Sequence, residues 1–225
     1  MTDAPFEYVR EYYAMDVARW DGFPDVTSFM DRFLGNVTGK TVLNPGCGPQ
    51  FYDWLLRFGE VPERYVGVDY GPATVDYLNT ATDPRFLEAK EAAMRLQTEC
   101  EVYCADILEW LPQHQNSFDC IIATGFVGTF HDQGLDQLLA AFRQSLRPGG
   151  RFVKMTWHGP HRTPEQTQKK LEYGYDSPDE HNPDAYLTQI ERAGFQADLQ
   201  EIFECDPTTY RWDVVQGCVF SVAQS

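Results

Sequence analysis

The sequence predicts one α/β domain in which a doubly wound, mostly parallel sheet has helices on both faces. Three observations favour this fold class. A short apolar run, Thr41-Val42-Leu43, leads through a turn rich in Gly and Pro into an amphipathic helix and then a second strand. Strand-like and helix-like segments go on alternating towards the C-terminus, as parallel strands joined by crossover helices require. A Leu-Arg-Pro-Gly-Gly stretch at 146–150 separates one such helix from the next strand.

Length and charge limit the classes of function. The chain has 225 residues, of which 43% are hydrophobic, enough for one domain with a complete core. Its formal net charge is −16, and its pI is near 4.6. Such a field repels a phosphate backbone, so we expect no nucleic-acid partner. Solubility accounts for most of this acidity.

Cysteine usage and the lack of long apolar runs indicate a cytoplasmic protein. The six cysteines are scattered and show neither the spacing of a disulfide scaffold nor a Cys-x-x-Cys pair, so we expect free thiols in a reducing compartment. The N-terminus does not resemble a leader sequence, and no apolar run approaches about 18 residues, so neither export nor membrane spanning is expected. The cysteines are Cys47, Cys100, Cys104, Cys120, Cys205 and Cys218.

The first strand is preceded by a predicted helical cap and followed by the most informative stretch of the chain. Residues 1–38 predict two helices, Phe6 to Trp20 and Asp25 to Leu34. After the strand at 41–43, Gly46 and Gly48 allow a tight turn and a close approach of the backbone to a ligand. A helix from Gln50 to Phe58 and a strand from Tyr65 to Val68 follow.

An acidic residue ends this second strand. Asp69 lies 21 positions after Gly48 (69 minus 48), close to the spacing of about 20 that is typical of an acid binding ribose hydroxyls in nucleotide-type folds.

The remaining elements follow in order. Helices are predicted after Gly71-Pro72, from Pro84 to Thr98, from Leu135 to Leu146 and from Asn182 to Ala193. Strands are predicted at 101–105, 118–124, 151–157, 195–203 and 214–222. Residues 158–184 are rich in Pro, Gly, His and Tyr, with a short helix expected at 167–175, and we expect this insertion to form a lid over an acceptor site.

The stretch Val42-Leu43-Asn44-Pro45-Gly46-Cys47-Gly48-Pro49-Gln50, with Asp69 after it, resembles motif I and the acidic strand end of class I S-adenosylmethionine-dependent methyltransferases of the small-molecule type. Asn44 stands where this family usually has a carboxylate, and Gln50 replaces the third Gly. The pair Asp106-Ile107, the strand beginning Phe118-Asp119 and the Leu-Arg-Pro-Gly-Gly turn follow in the family's order. The resemblance covers residues 38–225.

The resemblance implies a Rossmann-like sheet of seven strands with one antiparallel C-terminal strand, and S-adenosyl-L-methionine as cofactor. It implies that Gly46 and Gly48 face the methionine part, that Asp69 binds the ribose, and that Asp106 and Ile107 contact the adenine. A helix N-cap is the alternative role of Asp106. The candidate cofactor-binding residues are Tyr13, Asn44, Gly46, Cys47, Gly48, Asp69, Tyr70, Asp106, Ile107, Ala123 and Thr124.

Catalysis and acceptor binding are expected at the edge of the sheet where the cofactor is expected to bind. A sulfonium methyl is already activated, so positioning supplies most of the catalysis and no triad is required. The candidate catalytic residues are His158, His131 and Tyr13, of which His158 is the first choice as base. The candidate acceptor residues are Tyr12, Trp157, His161 and Tyr173. Surface loop histidines and core tyrosines are the alternative interpretations, and the His-x-x-His spacing lacks the further ligands of a metal site.

The sequence therefore predicts methyl transfer to a small-molecule acceptor, at O or N, by a monomer or homodimer. Two alternatives stay open. A catalytically silent cofactor-binding or regulatory protein is motivated by Asn44 and Gln50. A dinucleotide-dependent oxidoreductase is disfavoured by the Pro49-Gln50 ending of the glycine loop and by Asp106-Ile107.

Overall fold

One seven-stranded sheet organises the molecule. The computed structural model describes residues 9–11, 13–14, 36–58, 60–130, 132–158, 183–204 and 214–222. The strands are β1 (Thr41–Pro45), β2 (Arg64–Asp69), β3 (Glu99–Cys104), β4 (Phe118–Thr124), β5 (Leu146–His158), β6 (Phe195–Glu204) and β7 (Val214–Val222). The α-helices are α1 (Phe51–Leu56), α2 (Pro72–Thr80), α3 (Pro84–Arg95), α4 (Ile107–Trp110), α5 (Asp132–Ser145) and α6 (Pro183–Arg192).

The strand order is β3-β2-β1-β4-β5-β7-β6. Strands β1 to β5 run parallel, and β7 pairs antiparallel with both β5 and β6. The expected seven-stranded, mostly parallel Rossmann-like sheet with one antiparallel C-terminal strand is confirmed. Its order reverses between β1 and β4, and ligands of such sheets bind beyond the carboxyl ends of the strands at this switch point.

Side chains alternate between two apolar layers because successive strand residues point to opposite faces. On one face, Val42 and Tyr65 pack with α1, α2 and α3. On the other face, Leu43 and Val66 pack with α4, α5 and α6. Strands β1 and β2 are therefore covered on both sides, which fixes the loops at their carboxyl ends.

Several predicted boundaries differ from the structure, and two of these differences have a clear structural cause. The helix predicted from Pro84 to Thr98 ends at Arg95, because Gln97 adopts a left-handed backbone with φ 61° that a helix cannot continue. The Leu-Arg-Pro-Gly-Gly segment lies inside β5, where the register to β4 shifts between the pairs Phe118↔Leu146 and Cys120↔Arg151. This segment therefore forms an irregularity within the sheet, and the helix ends before it at Ser145.

Most of the predicted N-terminal cap and of the insertion at 158–184 lies outside the described residues, so the domain limits and the lid stay predictions. Residues 9–11 and 13–14 are helical. No helix in the described ranges combines the length and hydropathy needed to cross a bilayer.

Candidate active site

The loop between β1 and α1 is held against the end of β2. Gly46 and Gly48 have φ values of 60° and 58°, a left-handed conformation in which a side chain is strained. The backbone N–H of Gly46 donates to the carbonyl of Val68 at 2.7 Å. The two glycines therefore shape the turn at the carboxyl edge of the sheet as the sequence predicts.

Asp69 bridges this loop to the start of α2. Its Oδ2 accepts from the N–H of Gly48 at 3.0 Å, and its Oδ1 accepts from the N–H of Gly71 at 2.9 Å. Burial raises the pKa of Asp69 above its ordinary value, although these two donors and Thr74 favour the charged form. A carboxylate has about four acceptor positions, so the bonds from Gly48, Gly71 and Thr74 leave about one position for a ligand. Binding of ribose by Asp69 stays a prediction.

Asn44 and Gln50, the two departures from motif I, are both buried. Asn44 is 1% exposed, and its amide donates to the hydroxyl of Tyr65 at 2.7 Å, which forms a buried neutral pair in place of a buried charge. Gln50 is 5% exposed, and its Oε1 lies 2.7 Å from the position that a Cβ on Gly48 would take. Gln50 thus fills the space at the head of α1. Contact of the Asn44 side chain with a ligand stays a prediction.

The sequence analysis missed two close packing contacts at this loop. A Cβ on Gly46 would lie 2.2 Å from the Phe126 ring, so Phe126 packs directly on the glycine loop from the segment after β4. A Cβ on Gly67 would lie 2.8 Å from Phe51 and 2.9 Å from the Cys47 sulfur, so Gly67 lets α1 pack closely on β2. The glycines on either side of Phe126 were the only signal for the first contact.

Asp106 lies beside Asp69 at this edge. The N–H of Ala105 donates to the carbonyl of Asp69 at 3.0 Å, which joins the ends of β2 and β3. Asp106 caps α4, because its Oδ1 accepts from the N–H of Leu108 at 2.8 Å. The N-cap role is confirmed, and adenine binding by the second carboxylate oxygen stays a prediction. Ile107 is buried in the core, and its contact with the adenine ring is likewise a prediction.

The other described cofactor candidates differ in exposure. Ala123 is buried at the end of β4 and Thr124 is half-buried. Cys47 is buried, and burial together with the charge of Asp69 raises its pKa well above the ordinary value, so its thiol stays neutral. Tyr70 is 50% exposed and follows Asp69 directly, with its side chain open to contact.

Tyr13 occupies a core position. It is 2% exposed, with ring centroids 5.7 Å from Tyr77 and 5.8 Å from Phe86. Burial and the neighbouring charge of Asp53 raise the pKa of Tyr13, which keeps its phenol protonated. The structure thus gives Tyr13 the packing role that was the alternative interpretation. Its catalytic and cofactor-binding roles stay predictions.

Lys154 is a buried cation that sequence reasoning passed over. It is 1% exposed in β5, in register with Ala123 of β4. Burial lowers its pKa to about 8, so part of it is neutral near physiological pH. A lysine inside the apolar run Phe152-Val153-Lys154-Met155 was the available signal.

The predicted catalytic and acceptor residues are described only in part. His131, Tyr12, His161 and Tyr173 lie outside the described residues. The backbones of Trp157 and His158 end β5 and pair with Val215 and Val214 of β7, while their side chains are not described. Within the described part of the chain, no group of three His, Cys, Asp or Glu residues could hold a metal ion.

These features define a class of protein. A glycine loop at the switch point of a mostly parallel sheet, held by an acid that ends the next strand, forms a binding site for a nucleotide-type cofactor.

Comparison with known proteins identifies the family. A family model described as a methyltransferase domain matches residues 18–200. A curated tRNA U34 carboxymethyltransferase from Pseudoalteromonas translucida (strain TAC 125) is 29% identical over 130 residues, which are 56% of this chain and 35% of the relative. The chain thus spans about a third of the length of this relative.

Two solved structures share the fold. A chain in the complex between the Haloferax volcanii Trm112 methyltransferase activator and a methyltransferase has a TM-score of 0.68 at 14% identity, covering 97% of this chain and 96% of that one. Geranyl diphosphate C-methyltransferase from Streptomyces coelicolor A3(2), in complex with Mg2+, geranyl diphosphate and S-adenosyl-L-homocysteine, has a TM-score of 0.58 at 16% identity, covering 88% of this chain and 78% of that one.

The chain belongs to the methyltransferase domain family, and its fold is that of solved S-adenosylmethionine-dependent methyltransferases. The family match and the S-adenosyl-L-homocysteine bound in the S. coelicolor structure point to S-adenosyl-L-methionine as the cofactor. The glycine loop fits this group, because the turn at Gly46 and Gly48 lies at the carboxyl edge of the sheet and Asp69 keeps an acceptor position there.

Proposed function

We propose that this protein transfers a methyl group from S-adenosyl-L-methionine to an oxygen or nitrogen atom of a small-molecule acceptor. The observation that carries the proposal is that the antiparallel pairing of β5 with β7 extends past the end of β4. Its pairs continue for three residues beyond Met155, which pairs with Thr124 at the end of β4. At roughly 3.3 Å per residue along a strand, His158 lies about 10 Å beyond Met155 and the end of β4.

This extension supports an acceptor site on the β5 side of the cofactor. Trp157 and His158 end the extension, and the insertion from residue 159 begins there. In this proposal Trp157, Tyr12, His161 and Tyr173 bind the acceptor. His158 is the general base, with His131 and Tyr13 as further catalytic candidates. The cofactor supplies an activated methyl group, and the protein's part is to hold the acceptor in line and accept its proton.

Three further observations support the proposal of a small acceptor in a cytoplasmic enzyme. The net charge of −16 disfavours a polyanionic substrate. The cysteines among the described residues are free thiols, as expected in a reducing compartment: Cys47, Cys100, Cys104, Cys120 and Cys218. The S. coelicolor structure also holds a small molecule, geranyl diphosphate, beside its cofactor product. A monomer or homodimer suffices for this function.

A second candidate is methyl transfer to tRNA, assisted by an activator protein. The curated relative is named a tRNA U34 carboxymethyltransferase, and the Haloferax volcanii structure is a complex with a methyltransferase activator. The acidic charge disfavours this candidate, because a tRNA surface requires cationic contacts.

Turnover assays distinguish the two acceptors. The protein is incubated with labelled S-adenosylmethionine and either a small-molecule extract or total tRNA, and the labelled product is separated by size. We expect label in the small-molecule fraction alone. Label in tRNA alone would contradict the proposal.

Two histidine variants test whether His158 is the general base. We expect His158→Ala to lower turnover about a hundredfold, the lower range for general-base catalysis, with unchanged cofactor affinity. His114→Ala is the control, since its ring stacks on Trp110 at 3.6 Å, away from the glycine loop. Equal turnover of both variants would remove His158 as base.

A further inference from the structure

A cavity of about 310 Å³ lies at the opposite edge of the sheet from the glycine loop. Asn36 and Lys40, which precede β1, line one side of it. Asp119 and Cys120 at the start of β4 line another side, together with the turn and strand from Pro148 to Arg151. Four residue steps of β1, Thr41 to Pro45, separate the two edges, roughly 13 Å. The cavity is therefore separate from the cofactor site.

Two cations face this cavity without a compensating acid. Among the residues that the structure describes, neither Lys40 nor Arg151 has a side-chain ion pair or hydrogen bond. Asp119 is already neutralised, since its Oδ2 accepts from Arg147 at 2.7 Å and from the N–H of Thr41 at 2.8 Å. The cavity thus keeps the charges of Lys40 and Arg151.

Cys120 adds no negative charge to the cavity. Its thiol is buried, and burial raises its pKa to about 12, although Lys40 and Arg151 act in the opposite direction. Lys40, Arg151 and Cys120 all line this one cavity, so the cavity combines a neutral thiol with two positively charged residues in its lining.

The rest of the molecule makes this local charge unusual. The chain has 34 acidic and 18 basic residues, so a concave site with two uncompensated cations runs against its net charge of −16. A lysine and an arginine that line one cavity can together bind a compact oxyanion, because the guanidinium can bind two of its oxygens and the ammonium a third.

We propose that this cavity is a second binding site, which takes the phosphate group of a small phosphorylated molecule. Its volume is at the lower end of the range of about 300–1,000 Å³ for small-molecule sites, enough for a phosphate with a small organic part. The net charge of −16 repels a long polyanion, so a small ligand fits better than a nucleic acid.

Thermal unfolding of the whole protein at constant ionic strength tests this site. A ligand that binds the folded state alone raises Tm. We expect inorganic phosphate to raise Tm, ribose 5-phosphate to raise it further, and uncharged ribose to leave it unchanged. The amide signals of Gly149 and Gly150 should shift in NMR spectra during the phosphate titration.

Substitutions of the lysine and arginine that line the cavity test whether phosphate binds there. We expect Lys40→Met and Arg151→Met each to weaken phosphate binding about tenfold, the loss of one charge-assisted hydrogen bond. Arg192→Met, on the exposed end of α6, is the control and should keep wild-type phosphate affinity. Binding of S-adenosylhomocysteine should be unchanged in all three variants, which separates this site from the cofactor site.

Three results would overturn the proposal. The first is a wild-type Tm and amide signals that do not respond to phosphate. The second is an undiminished response in the Lys40→Met Arg151→Met double variant. The third is tighter binding of single-stranded RNA than of ribose 5-phosphate, lost in that double variant.

Discussion

Asp69 holds the glycine loop and the start of α2 together through the backbone N–H groups of Gly48 and Gly71. Asp69→Asn keeps the size of this side chain and removes its charge. Charge-assisted hydrogen bonds contribute about 1.5–3 kcal/mol each, so we expect binding of S-adenosylhomocysteine to weaken at least about tenfold. Tm should also fall, because the loop loses its anchor. Calorimetry measures the affinity, and a value within a few fold of wild type would contradict the ribose role.

The raised pKa of Asp69 predicts a pH dependence of cofactor binding. Burial disfavours the carboxylate, so protonation occurs at a higher pH than the ordinary value of about 3.9 for aspartate. A protonated carboxyl loses acceptor positions, so affinity should fall as pH decreases through this raised pKa. Titration calorimetry at several acidic pH values measures the fall. The Asp69→Asn variant should lack this transition, and a wild-type profile that matches the variant would refute the assignment.

Asp106 has a confirmed cap role and a predicted adenine role, which two variants separate. Asp106→Ala should destabilise the fold by about 1 kcal/mol, because α4 loses its N-cap. It should also weaken cofactor binding by about 1–3 kcal/mol. Asp106→Ser restores a capping oxygen without the carboxylate, so we expect Tm to recover while affinity stays low. Full recovery of affinity in Asp106→Ser would leave only the cap role.

At the scale of elements, the close packing of α1 on β2 depends on Gly67. A Cβ there would overlap Phe51 and the Cys47 sulfur, so we expect Gly67→Ala to destabilise the protein by about 1–3 kcal/mol, the usual cost of overpacking. Gly134→Ala is the matched control in α5, where a Cβ would lie 3.7 Å from Phe130. Alanine there should be neutral or stabilising by up to about 1 kcal/mol. Denaturant unfolding compares the two, and equal stabilities would be evidence against the packing argument.

Element type could be read from the sequence where apolar patterns are bounded by clear turn residues. The strand Phe118–Thr124 was predicted with its observed bounds, because Gly125 follows it directly. The end of α3 could not be read in this way, since Gln97 gives no sequence signal for its left-handed backbone. The irregular start of β5 depends on its pairing with β4, which only the folded sheet determines.

Site residues could be predicted where they are local in sequence, as for the glycines of motif I and Asp69. The contacts that complete the site are set by register and by long-range packing. Asn44 pairs in register with Gly67, which brings the hydroxyl of Tyr65 within hydrogen-bonding distance. Phe126 reaches Gly46 because β4 lies next to β1 in the sheet. Neither partner follows from the spacing of residues along the chain.

At the scale of the whole molecule, the two edges of the sheet differ in charge. The carboxyl edge carries Asp69 and Asp106 beside the glycine loop. The opposite edge has the cavity with Lys40 and Arg151. In a chain with a net charge of −16, this separation suits a hydroxyl- and amino-bearing adenosine group at one edge and an oxyanion at the other.

Calorimetric titration of the protein with S-adenosylhomocysteine, with NAD as the control ligand, tests the central claim that the loop held by Asp69 is a site for S-adenosylmethionine. We predict micromolar binding of S-adenosylhomocysteine and no measurable binding of NAD. Binding of NAD in preference to S-adenosylhomocysteine would contradict the account, as would a protein that binds neither ligand.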